Sequence, residues 1–470
     1  MTGAPRSYGS PDVAVIGAGM IGLTIAYSIA SRGASVAILE KEDIAAGASG
    51  SNMGLVLWSD SEPGLSLELT ALGWQRILGF EDELGSDLEF RRIPALGVIE
   101  DENSITGARA QAALLEKAGF KMEFVRPEHF REIEPNIFPG KAIAGTYCEE
   151  GRLNPFLLAS ALWSRAKSKG VDLRRGFEVV GLEEKGGKIT RVVGKSGIVS
   201  PGMVIVAAGA WTRRIFGFLG IDLPQYYIHG EMLVSEQVPS YIRGLVGSGS
   251  PERVLMEKAI AESDTGSSEF SLSRCEREPM GGDAVLGFEC ENGFEKGPKK
   301  ASTQRVAETL PSRNGFFARE RGNGQFRIVE DALTQTVSGN LVLGQVSRGS
   351  GRFYNEVGHK TFADLSRSTL RYFPALSEVS VIRSWVKPVP FTPDHLPYMG
   401  PVAGYDNLFV ASGYKSTIIL VPLVGEIMAA LVLEGKVFPG LEEFYPTRGR
   451  HAGAWCVERN LRRSRAGCLM

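Results

Sequence analysis

The stretch VAVIGAGMIGLTIAYSIASRGASVAILEKE, Val13 to Glu42, decides the reading of this chain. Val13 to Ile16 is a β-branched and apolar run suited to a buried parallel strand, and Gly17, Gly19 and Gly22 follow it in G-x-G-x-x-G spacing. The first glycine permits a tight turn, the second lets a pyrophosphate approach the backbone, and the third lets the next helix pack against the strand. Leu23, Ala26, Tyr27, Ile29 and Ala30 give that helix a buried face, Gly33 ends it, and Val36 to Leu39 form a second strand. Glu40 closes that strand about 20 residues beyond the glycines, where a carboxylate accepts ribose hydroxyls and repels a 2′-phosphate. Strand, glycines, helix, strand and acid in this order predict a dinucleotide site with its phosphates at the helix N-terminus.

The flanking sequence extends this site. KEDIAAGASGSNMGL, residues 41–55, is rich in small residues: either its amides with Ser49, Ser51 and Asn52 wrap an extended cofactor, or it is a surface loop. Two later stretches return to the same pattern. Residues 176–212 alternate strands and turns before Val204 to Ala207 runs into Gly209, and residues 406–435 read as strand, glycine loop and long apolar helix. Three separated pieces converging on one site suit FAD better than NAD.

Composition bounds the alternatives. The 470 residues, 43% of them hydrophobic and with a net charge of -2, describe a globular chain with material for about two domains and no nucleic-acid partner. Cys148, Cys275, Cys290, Cys456 and Cys468 form no C-x-x-C pair, and His129, His229, His359, His395 and His451 form no H-x-x-x-H pair, so no metal site is expected. The cysteine usage fits a reducing, cytoplasmic location. The apolar run Thr417 to Leu433 is interrupted by Pro422, Gly425 and Glu426, so no transmembrane segment is expected.

The glycine fingerprint with Glu40, GASGSNMG (47–54), GRLNPFLLASAL (151–162), AAGAW (207–211), NLVLGQ (340–345), TPDHLPYMG (392–400) and the final strand and helix together resemble the FAD-dependent amino acid and amine oxidoreductase family, which includes D-amino acid dehydrogenase, glycine oxidase and sarcosine oxidase. The resemblance runs from Asp12 to Arg448 apart from one insertion. It implies an α/β fold: a Rossmann-type FAD-binding domain, expected over 12–88, 147–222 and 385–446, with a mixed-sheet substrate domain inserted in segments over 89–146 and 223–384. An amphipathic helix, Asn154 to Lys169, is expected to return the chain to the FAD domain. By the same resemblance Val179 lies by the adenine through its backbone, and Ala208 and Gly209 line the FAD site. The residues expected at the cofactor are Gly17, Gly19, Ile21, Gly22, Glu40, Lys41, Ser49, Asn52, Val179, Ala208, Gly209, Gly413, Lys415, Ser416 and Thr417.

The sequence departs from the family pattern at informative places. Many relatives carry W-x-x-x-R-P-x-T-P-D, whose guanidinium holds a substrate carboxylate in two bonds; WVKPVPFTPD puts Val389 there, and an apolar residue cannot replace the charge. Lys387 shares the face of Val389 only if the segment stays extended, and Pro388 and Pro390 leave its direction open. The usual Gly-His-Gly-like loop is replaced by Gly413-Tyr414-Lys415-Ser416-Thr417, where Lys415 either strengthens the field at the flavin, holds a substrate carboxylate, or faces solvent. Residues 259–325 read as a flexible excursion, with a partner-binding loop or an irregular coding segment as alternatives. The tail, 449–470, reads as disordered, although Arg459, Arg462, Arg463 and Arg465 leave a peripheral membrane contact or a partner subunit open.

The resemblance implies an enzyme that oxidises the C–N bond of an amino acid or secondary amine by hydride transfer to flavin N5, with orientation and field supplied by the protein. A flavin oxidoreductase acting on a hydroxy acid or other non-amine, and a non-catalytic FAD-binding subunit, are the competing readings. No motif distinguishes oxygen, a quinone or another subunit as electron acceptor.

Overall fold

The computed structural model describes residues 8–249, 327–349, 353–414 and 417–448. The excursion expected over 259–325, the tail over 449–470, and Lys415 and Ser416 lie outside the described residues.

Two large sheets organise the chain. The first has six strands in the order Tyr398–Pro401, Leu408–Ser412, Met203–Val206, Val13–Ile16, Val36–Leu39 and Asp172–Arg174. Its ladders are parallel except at the Tyr398–Pro401 edge. The strands at its centre are buried on both faces, which is why VAVI and VAIL read as continuous apolar runs rather than alternating ones. Val13, Val15, Ile38 and Ile205 pack under helices Met20–Ala30, Pro155–Ser168 and Thr417–Glu434. Ala14, Ile16, Leu39 and Val206 face a three-stranded sheet that carries Val179, Leu182 and Val192.

Local sequence chemistry sets the helix ends. Asn154 Oδ1 accepts the amides of Phe156 (3.1 Å) and Leu157 (3.4 Å), and Pro155 opens the helix without needing a donor, so the expected helix forms over Pro155–Ser168. The glycine-fingerprint helix ends at Ala30, earlier than Gly33, which instead forms the turn after it. Thr417–Glu434 is long and apolar enough to cross a membrane by length and composition, yet 72% of it is buried inside the protein, against the first helix and Leu65–Ile77.

The second sheet has nine strands and is mixed. Its path runs Val381–Phe391, Tyr226–Gln237, Asn340–Gly349, Arg327–Gln335, Leu245–Ser248, Arg91–Ile99, Ala144–Arg152 and Leu55–Val56, with Glu123–Val125 pairing Ala144–Arg152. The Leu245–Ser248 strand runs parallel to Arg91–Ile99, while its other ladders are antiparallel. Leu365 and Tyr372 of helix His359–Tyr372 pack on one face with Leu96, Leu233 and Leu343. The sheet edges differ from the sequence-based division: the boundaries expected at 146/147 and 384/385 fall inside strands Ala144–Arg152 and Val381–Phe391. A ladder continues for as long as a neighbour supplies hydrogen bonds, and nothing in local composition marks where a strand passes from one motif to the next.

Candidate active site

The glycine turn is built by close backbone approach. Gly17 has φ +109°, and a Cβ there would stand 2.5 Å from the Ala207 carbonyl oxygen. A Cβ on Gly22 would meet the Gly17 carbonyl oxygen at 2.0 Å, so helix and strand touch with no room for any side chain. This packing brings the Ala207–Gly209 turn, which the Ala207 amide ties to Ile16, against the glycine loop.

Gly19 occupies the N-cap position, and the Ser49 hydroxyl accepts the Met20 amide at 3.0 Å. The amides of Ile21 and Gly22 complete the donor set of the first turn and have no acceptor within the helix. Loop 41–55 is held by its own bonds: Asn52 donates to the Ser49 carbonyl at 2.7 Å and accepts the Gly54 amide at 2.8 Å. Trp385 Nε1 donates to the Ser51 carbonyl at 3.0 Å and ties that loop to the nine-stranded sheet.

Glu40 is buried, and its oxygens accept the Ala18 amide at 2.8 Å and the Glu42 amide at 2.7 Å. Burial raises its pKa above the ordinary carboxylate value, and the two amides oppose that rise. A carboxylate has about four lone-pair directions, so two remain for ribose hydroxyls. The Phe177 amide donates to the Glu40 carbonyl at 2.8 Å, which brings the strand that begins at Val179 beside the acid. The Lys41 ammonium contacts Glu42 at 2.6 Å and sits 3.7 Å over the Trp211 ring. Trp211 Nε1 is buried without an acceptor among the described residues. An orphaned donor beside a cation suits phosphate oxygens, as do the free amides at the start of the Met20 helix, and the residues fit FAD.

Gly413 packs against Thr392, and Thr417 donates to the Tyr414 carbonyl at 3.2 Å at the start of the last helix. Met20, Ser49, Asn52 and Thr417 all open onto a cavity of about 720 Å³ that runs along the free face of the nine-stranded sheet. Ile21, Glu40, Lys41, Val179, Ala208, Gly209 and Gly413 stand outside the cavity wall, grouped instead around the glycine turn and the ends of the six-stranded sheet.

Sequence reading missed the group beneath the cavity. Glu150 is fully buried, accepts the Trp58 and Ser59 amides at 3.0 Å each, and has Cys148, a lining residue, 3.9 Å away. Burial pushes its pKa up to about 8 against the pull of Ser59 and the two amides. An isolated glutamate in CEEGR carries no motif; only its place under the loop gives it a role.

The site belongs to a flavin oxidoreductase of the type whose cofactor lies between a Rossmann-type sheet and a mixed substrate sheet. Residues 12–261 and 293–431 match the family described as FAD dependent oxidoreductase, and this chain belongs to that family. Its cofactor is FAD. The chain is 21% identical over 441 residues to mitochondrial dimethylglycine dehydrogenase of Mus musculus, covering 93% of this chain and 44% of the relative. It spans about half the length of the curated relatives it matches first. Solved structures of similar fold include glycine oxidase from Geobacillus kaustophilus (TM-score 0.72, 20% identity, 94% of this chain and 99% of that one) and L-proline dehydrogenase from P. horikoshii (TM-score 0.71, 20% identity, 93% and 97%).

Proposed function

We propose that this protein oxidises the C–N bond of an amino acid or secondary amine, with hydride leaving the carbon beside nitrogen and water hydrolysing the resulting imine. FAD, when bound, supplies the two-electron acceptor. The observation that carries the reading is the cavity of about 720 Å³, because it joins Met20, Ser49 and Asn52 of the cofactor loops to a sheet face roomy enough for a small donor. Leu55, Ile228, Met232 and Ile418 give part of its wall an apolar lining. The names of the relatives, acting on dimethylglycine, glycine and proline, support amine donors. Lys415 is proposed to act on the flavin or the substrate from its loop.

The test is anaerobic mixing of FAD-loaded protein with a panel of amino acids, N-methylated amines and hydroxy acids, followed by flavin absorbance. Bleaching by amines and not by hydroxy acids is expected. The reverse pattern favours the hydroxy-acid reading, which Val389 in the cavity wall supports. Flavin that stays oxidised with every donor favours a non-catalytic subunit.

A further inference from the structure

The strand Val381–Phe391 stays extended through both prolines: it pairs Tyr226–Gln237 in unbroken register from Phe391↔Tyr226 to Arg383↔Val234. It is an edge strand, so its outer side needs no partner for the missing proline donors. The period of the strand therefore holds, and Lys387, Val389 and Phe391 all lie in the cavity wall. Lys387 is the only lysine or arginine among the described lining residues, which include the carboxylates Asp60, Glu62, Glu330 and Asp331, and it forms no ion pair with any of them. It is half-buried and pairs with Gly230, beside which the Gln345 carboxamide fills the space that a side chain would take. The step from Val389 to Lys387 is about 7 Å along the strand, within reach of a four-carbon stem that can lie over the apolar Val389.

We infer that Lys387 is the anion-recognising residue of this cavity and takes over, from two positions away, the carboxylate role vacated at Val389. The inference rests on the proposed amine oxidation for the identity of the donor, and it narrows that donor to one bearing a carboxylate. An ammonium on a flexible stem is a point charge, so it accepts carboxylates at varied distances from the reacting nitrogen where a guanidinium fork fixes one geometry.

The experiment uses non-oxidisable anions so that it is independent of turnover. Oxidised, FAD-loaded protein is titrated with acetate, propionate and butyrate, and with butyramide as the uncharged match of butyrate, and the flavin spectrum is followed. Saturable carboxylate binding is expected in the wild type. Lys387→Met, which keeps the stem and removes the charge, is expected to weaken it at least tenfold, while Lys387→Arg restores part of it and butyramide responds equally in all three proteins. No carboxylate binding by the wild type, or equal binding by Lys387→Met, overturns the inference. A changed flavin midpoint potential in Lys387→Met with unchanged carboxylate binding also overturns it, assigning the charge to the flavin. If carboxylates bind through Lys387 while no amine bleaches the flavin, the proposed reaction fails and the anion site stands.

Discussion

The Glu40 carboxylate accepts the Ala18 amide at 2.8 Å across the glycine turn, so the acid proposed to face the ribose also holds the glycine loop in place. The amide of Glu42 occupies its other oxygen at 2.7 Å. Replacing Glu40 by Gln leaves one of these amides facing a donor, a loss of about 1–3 kcal/mol. FAD affinity is expected to fall in Glu40→Gln, and further in Glu40→Arg, where a cation would stand in place of the ribose acceptor. Equilibrium titration of the apoprotein with FAD measures both, and unchanged affinity in Glu40→Arg refutes the ribose role.

Gly22→Ala places a Cβ 2.0 Å from the Gly17 carbonyl oxygen, a backbone atom that cannot swing aside. The helix must move off the strand, and overpacking of this kind costs about 1–3 kcal/mol or more. Thermal unfolding of the apoprotein is expected to show a lowered midpoint, with FAD binding weakened in parallel. A variant that unfolds and binds like the wild type contradicts the close packing described at this turn.

Asn407 joins two sheets: its Nδ2 donates to the carbonyls of Ile189 (2.9 Å) and Gly202 (2.8 Å), and its Oδ1 accepts the Ile189 amide at 2.8 Å. Asn407→Asp preserves the shape and turns two donor contacts into acceptor-to-acceptor contacts. A loss of about 2–4 kcal/mol in urea unfolding is expected for an unpaired buried group. A loss below about 0.5 kcal/mol, typical of a neutral surface change, discounts the bridge.

Glu150 makes stability depend on pH. Its pKa is raised to about 8 in the folded protein, from an ordinary value of 4.5, chiefly by burial. The folded state therefore binds the proton more tightly than the unfolded state. The stabilisation is fully present below pH 4.5 and is lost as pH rises through about 8. One proton sets a slope of at most about 1.4 kcal/mol per pH unit across that window. Comparing urea unfolding at several pH values, Glu150→Gln is expected to flatten the slope, and an identical slope in both proteins removes Glu150 as its source.

The glycine fingerprint was legible because its physics is local. Strand, turn and helix lie within Val13–Glu42, and each residue acts on near neighbours along the chain or on a ligand at the helix mouth. The Asn154 cap and the buried runs were readable for the same reason. Strand limits in the nine-stranded sheet were less so, since Ala144–Arg152 and Val381–Phe391 are set by partners distant in sequence. Glu150 and Asn407 carry no local pattern at all; their importance comes from amides and carbonyls that other segments deliver.

The sequence by itself determined the cofactor fold and the loss of the arginine at Val389, because short-range spacing and residue chemistry suffice for both. It could not decide which way Lys387 points. Pro388 and Pro390, both after Lys387, permit either a turn or an extended edge, and only pairing with Tyr226–Gln237 holds the segment straight and turns Lys387 to the same cavity face as Val389. Side-chain direction on a strand follows from its register with a neighbour, and that register exists only in the folded sheet.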